Sequence, residues 1–139
     1  MGNKVKLMLR KKLNLIYVLG ITLGLSACAS VTEQELIAGG ATRMNGEQTT
    51  AHISGKTESW PYYRTYYSPD GNMAGLWDKD RTKGTWEVTS GGKVCVTAPK
   101  FGKNCHSYVD DHGAITRIED GISTGVKEVV DGRRIQWTN

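Results

Sequence analysis

No acidic residue precedes Glu33, and no apolar run in the 139-residue chain exceeds thirteen residues. The first absence confines a block of positive charge to the amino terminus. The second leaves no segment long enough to cross a bilayer core of about 30 Å as a helix. The chain also lacks repeats of fixed length, low-complexity tracts and any helical period longer than one short segment. Solenoids, linkers and helical bundles are thereby set aside. GxSxG, HExxH and P-loop patterns are missing, so the enzyme classes that carry them find no support. The histidines number three, His52, His106 and His112, and none stands at a recognised ligand spacing from a cysteine or carboxylate. Asp78, Asp80 and Gly84 lack the remaining oxygen ligands of a calcium loop. Neither a metal nor an organic cofactor is expected.

The formal charge of +4 suggests a nucleic-acid partner until its distribution is traced. Lys4, Lys6, Arg10, Lys11 and Lys12 all lie ahead of the first apolar run. Without those five, thirteen basic residues face fourteen acidic ones, and the rest of the chain is close to neutral. Phosphate contacts need clustered Lys and Arg, so no nucleic-acid partner is expected.

Residues 1–12 form a basic n-region and Leu13 to Leu25, LNLIYVLGITLGL, an apolar h-region, which together give the profile of an export signal. Leu25, Ser26, Ala27 and Cys28 follow as LSAC, which resembles the lipobox of bacterial lipoproteins. That resemblance implies cleavage before Cys28 and acylation of its sulfur and new amino terminus, with palmitate-type chains holding the protein to a membrane. An ordinary cleaved signal ending at Ala27, with Cys28 as a free thiol, is the rival reading. Two or three acyl chains anchor stably where one does not. Ala29 rather than Asp after the cysteine favours, by resemblance to the enterobacterial sorting rule, the outer membrane facing the periplasm. The expected organisation is a signal peptide over 1–27, a lipidated tether over 28–32 and a single β domain over 33–139, about 110 residues beyond the signal and enough for one modest core.

Thr32 to Glu35, TEQE, reads as a capping box opening a short helix over Glu33 to Ala38, which Gly39 and Gly40 stop. Asn45-Gly46 reads as a turn between two weak strand candidates, Gly40 to Met44 and Thr49 to Ser54. Trp60 to Tyr67 and Asn72 to Asp78 flank the SPDG turn as a hairpin. DKDRTK is a charged connection, and Thr85 to Thr89 alternates with Trp86 and Val88 on one face. Further strands are expected over Lys93 to Ala98, Cys105 to Val109 and Ala114 to Glu119, with a last hairpin, Val126 to Val130 and Arg133 to Thr138, around Asp131-Gly132. Six to nine short strands joined by two to six residues predict a mainly β fold: an antiparallel meander forming a curled sheet or a small lipocalin-like barrel, with one short N-terminal helix.

Cys95 and Cys105 stand ten positions apart across PKFG, so pairing them in register turns both side chains to one face. In an exported chain this favours a disulfide. A catalytic thiol would want His106, but neighbours in a strand face opposite ways. The aromatic hairpin presents Tyr62, Arg64 and Tyr66 on one face and Tyr63, Thr65 and Tyr67 on the other, with Trp77 on the return strand. One set is expected in the core. Tyr62, Arg64, Tyr66 and Trp77 are the candidate ligand- or partner-binding residues, suited to stack on a sugar ring or seat an envelope protein. Ordinary cross-strand pairing that stiffens a sheet is the alternative.

The stretch YYSPDGNMAGLWDKDRTKGTWEVTSGGKVCVT, followed by a second cysteine, resembles a family of small exported bacterial proteins known as domain of unknown function 995. The likeness runs over roughly Leu36 to Val109 through an aromatic strand, a PDG-type turn, a GxW strand and G-K-x-C. It implies a fold and an address but no reaction. The expected function is therefore an envelope-anchored lipoprotein whose β domain binds a partner protein or small ligand. The alternatives are a lysozyme-inhibitor-like defence module, by analogy of architecture, and a hydrolase around His106 and Asp110.

Overall fold

The structure is a computed structural model that describes residues 30–135. The export signal, the lipobox and Cys28 lie outside the described residues.

One antiparallel sheet dominates. After α1 (Glu33–Ala38) come β1 (Thr42–Arg43), α2 (Gly46–Ile53), β2 (Lys56–Ser59), β3 (Tyr63–Tyr67), β4 (Asn72–Trp77), β5 (Asp80–Val88), β6 (Val94–Ala98), β7 (Gly102–Asp111), β8 (Ala114–Glu119), β9 (Ile122–Val126) and β10 (Glu128–Asp131). The hydrogen-bonded path runs β10-β2-β3-β4-β5-β6-β7-β8-β9, and β1 pairs separately with β7. Its two ends meet in sequence. Glu128 pairs with Ser59 of β2, and Val126, two residues earlier, pairs with Thr116 of β8. One bent segment thus carries both edge strands of a curled half-barrel.

The alternation expected in Thr85 to Thr89 is present, with Trp86 buried and Glu87 exposed. The SPDG turn docks on that strand: Trp86 donates its ring N–H to the Ser68 carbonyl at 2.8 Å and its backbone N–H to Gly71 at 2.8 Å. Gly84, two residues before Trp86, sits where the β6 backbone approaches closely. A Cβ there would lie 2.1 Å from the Thr97 carbonyl oxygen, so no other residue fits. Cys95 faces Cys105 in register, with Cα atoms 4.1 Å apart, and the two form a disulfide on the outer face of the sheet. For so small a loop the chain-entropy model gives about 3 kcal/mol.

Four local expectations are corrected. Thr49 to Ser54 is not a strand: Gly46–Ile53 is helical, and Asn45 caps it through a reciprocal box with Gln48. The helix wins because it buries Thr49 and Ile53 completely, and Thr49 donates to the Gly92 carbonyl at 3.2 Å. The charged DKDRTK run is not a loop; Asp78 and Lys79 turn the chain and the rest belongs to β5. A further strand, β2, precedes the aromatic one. Asp131-Gly132 closes no hairpin among the described residues, because β10 pairs with β2 and residues 133–135 carry no strand. Residues 136–139, which complete the expected partner strand, lie outside the described residues.

The two ends of the half-barrel differ. At the end reached by the 68–71 and 89–93 turns, Met44 and Ile53 pack onto Tyr67, Met73, Trp86, Val94 and Tyr108 as the main apolar core. The residues around α2 are the plug. A smaller cluster of Ala41, Val109 and Ile118, joined by Leu36 of α1, lies behind β7 and β8 on the outer face.

Candidate functional site: an aromatic-rimmed cavity over a buried ion pair

The opposite end is hollow. A cavity of about 530 Å³ occupies it, within the range of small-molecule sites. Cross-strand register accounts for the space. The inward residues form rows across the sheet, because directly paired residues point the same way. One row is Tyr63 and Trp77, at the rim. The next is Glu58, Thr65, Gly75 and Thr82, at the waist. The third contains Tyr67 and Met73, already part of the apolar core. Small residues at the waist leave the room. Gly75 lies between Met73 and Trp77 on the inward face, and a Cβ there would stand 2.9 Å from the Thr82 methyl and 3.2 Å from the Tyr63 hydroxyl.

Aromatic rings surround the mouth. Trp60 packs on Tyr63 with centroids 5.2 Å apart, Tyr63 meets Trp77 edge-on at 5.6 Å, and Trp77 stacks on Phe101 at 5.9 Å. Tyr62 stands out at 78% exposure. The 60–62 and 99–101 connections, the start of β3 and the end of β4 supply these rings.

Along the waist, toward β8, the wall turns polar. Glu58 of β2 is fully buried and accepts from Arg117 at 2.7 Å, Tyr108 at 2.9 Å and Tyr67 at 3.2 Å. Arg117 of β8 also grips Glu119 through two of its nitrogens and lies 4.3 Å from the Trp60 ring centre. Burial raises the Glu58 pKa, while Arg117 and the two tyrosines oppose that rise. Burial alone would lower the Arg117 pKa, but the surrounding carboxylates raise it and keep the guanidinium charged. Both tyrosines are pushed well up, first by burial. They are donors to the carboxylate.

His106 completes the layer, 3.2 Å from the Tyr108 hydroxyl. That hydroxyl gives its one proton to Glu58, so His106 Nε2 must be the donor and Nδ1 carries the free lone pair. Burial, with help from Arg117, lowers the His106 pKa to about 2, so the ring is neutral. It lies on the face opposite Cys105, and Cys105 is consumed in the disulfide. Thr65 Oγ1, in a residue 1% exposed, is the one buried side-chain polar atom among the described residues without a hydrogen-bond partner. Metal-type groupings of three or more His, Cys, Asp or Glu are absent among the described residues.

Of the four residues singled out from sequence, Tyr62 and Trp77 line the cavity. Arg64 is exposed and Tyr66 half-buried, and both point to the outer face, away from it. The inward set is Tyr63, Thr65 and Tyr67. Sequence reasoning missed Trp60, Phe101, Glu58 and Arg117. For Arg117 the alternation within AITRIE was the available signal, since Ile115, Arg117 and Glu119 share a face. Glu58 had none, because no apolar residue flanks it in KTES.

Fold and site together define a small antiparallel half-barrel with an aromatic-rimmed interior cavity. The chain belongs to the family described as protein of unknown function (DUF995), whose model matches residues 20–121. No curated protein and no solved structure matches it.

Proposed function

We propose that this is a lipid-anchored protein of the cell envelope, held through Cys28 to a membrane, whose half-barrel holds a small and mostly apolar ligand in its open end. The supporting observation is the cavity: Gly75 and Thr82 keep the waist empty, while five aromatic residues at the mouth supply stacking area. Nothing in the polar layer is arranged as a nucleophile with a base, so binding is favoured over a reaction. Titration of the purified protein with the neutral fluorophore N-phenyl-1-naphthylamine tests the reading. Saturable, blue-shifted emission at one site per chain is expected, lost in Gly75→Leu and kept in Arg64→Ala on the outer face. Equal binding by both variants would overturn it. The anchor is tested by fatty-acid labelling, which Cys28→Ser should abolish.

A partner protein is the second reading, favoured by the 78% exposure of Tyr62 beside Trp77 and Phe101. Gly75→Leu separates the two: filling the waist should abolish fluorophore binding and leave a protein contact at the rim intact.

A further inference from the structure

We propose that the ligand of this cavity is an uncharged amphiphile, with an apolar or aromatic body in the open end and a hydroxyl or similar donor-acceptor group that reaches Thr65 at the waist. The inference rests on the cavity-binding reading and narrows it by charge.

The charges around the inner wall already balance. Arg117 is held between Glu58 and Glu119. Lys127 donates to the Thr124 carbonyl and lies 5.4 Å from the Trp60 ring centre. Two cations therefore meet two carboxylates, and the histidine in the wall is neutral. A carboxylate entering from the mouth would have to displace Glu119 from Arg117. An ammonium would have to displace Arg117 from Glu58, out of a site closed by three hydrogen bonds. Either leaves a charge uncompensated in a poorly solvated place, which is costly.

The uncompensated group in the wall is instead neutral. Thr65 is paired in register with Glu58 and Gly75, lines the cavity, and has a hydroxyl with no partner in the protein. Buried polar groups are nearly always satisfied, so an orphan hydroxyl on a residue that lines the cavity marks where a ligand atom belongs. His106 Nδ1 adds an acceptor to the same cavity wall. A ligand hydroxyl both donates and accepts, and so serves either group. A carboxylate can only accept.

The test displaces N-phenyl-1-naphthylamine from the purified protein with three competitors of one chain length: 1-decanol, decanoate and decylamine, the last two charged at pH 7.5. Decanol should compete at concentrations about tenfold lower than either charged analogue. Thr65→Val, which keeps the shape and removes the hydroxyl, should shrink that preference severalfold and raise the melting temperature, because no orphan is left. Glu119→Gln, which frees Arg117, should bring decanoate level with decanol or ahead of it. Decanoate or decylamine matching decanol on the wild-type protein would overturn the assignment while leaving the cavity reading intact. A decanol preference unchanged in Thr65→Val would also overturn it. Failure of the fluorophore itself to bind would remove both.

Discussion

The plugged and hollow ends of the half-barrel are built from the same strands with the same pleat, yet one is packed and the other holds about 530 Å³ of space. Side-chain volume makes the difference. Toward the plug the inward positions carry Tyr67, Met73, Trp86, Val94 and Tyr108, and the chain around α2 adds Met44 and Ile53. Toward the mouth the matching positions carry Thr65, Gly75, Thr82 and Ala98, and no helix among the described residues covers them. Stability is thereby concentrated at one end and room for a ligand at the other. Between them lies the polar layer of Glu58, Arg117 and His106, to which the core residues Tyr67 and Tyr108 turn their hydroxyls.

The largest effect should come from that layer. Glu58→Ala leaves Arg117 buried against Glu119 alone, and removing one partner of a buried pair typically costs about 3–5 kcal/mol. Urea denaturation should record that loss. The double replacement Glu58→Leu with Arg117→Met should recover much of it, because apolar groups of similar size need no partner. If the double variant is no better than the single, the layer is a structural support for both ends rather than a partition between them.

A matched pair of truncations sharpens the contrast between the ends. Ile53→Ala, in the plug, deletes a fully buried side chain and should cost about 2–5 kcal/mol without touching the mouth. Trp77→Ala, at the rim, loses its contacts with Tyr63 and Phe101 and should cost only about 1 kcal/mol. It should weaken fluorophore binding far more than Ile53→Ala does. Equal stability losses in the two variants would mean that the rim is as firmly packed as the plug.

The sequence exposed the parts of this design that rest on local pattern. The capping box at Thr32 and Glu35, the SPDG turn, the alternation around Trp86 and the register of Cys95 with Cys105 all follow from spacing, and all are present. The mainly β curled sheet follows from them. The plug was less legible. Asn45 to Gln48 carries a cap-like pattern, but Asn-Gly is also a hairpin signal, and Gly46, Thr49 and Thr50 are poor helix formers. Burial of Thr49 and Ile53 decides in favour of helix, and burial is a tertiary fact. The cavity was half legible. Alternation divided the aromatic strand into two faces, and register, unknown from sequence, decided that Tyr63, Thr65 and Tyr67 turn inward. Glu58 and Arg117 are 59 residues apart, and no local pattern joins them.

The smallest effect separates the layer from its surroundings by pH. His106 is held neutral in the folded protein, with its pKa lowered to about 2 by burial. In the unfolded chain it takes up a proton near pH 6.5. Its folded pKa is depressed, so the stability it permits is fully present above pH 6.5 and falls as the pH drops below it. The unfolded state binds one more proton there, a slope of about 1.4 kcal/mol per pH unit. His52, on α2 and packed edge-on against Tyr108 at 5.0 Å, is also lowered by burial and adds in the same direction. Glu58 is raised, so it works the opposite way: protonation of its folded form offsets part of the loss as the pH falls through its folded pKa. Comparing urea midpoints at pH 7 and pH 5 in the wild type and in His106→Gln isolates the first contribution, since His52 and Glu58 remain in both. The variant should lose less stability on acidification than the wild type. Parallel pH dependences would mean that His106 gains access to water from the mouth, and that the cavity extends through the layer rather than ending on it.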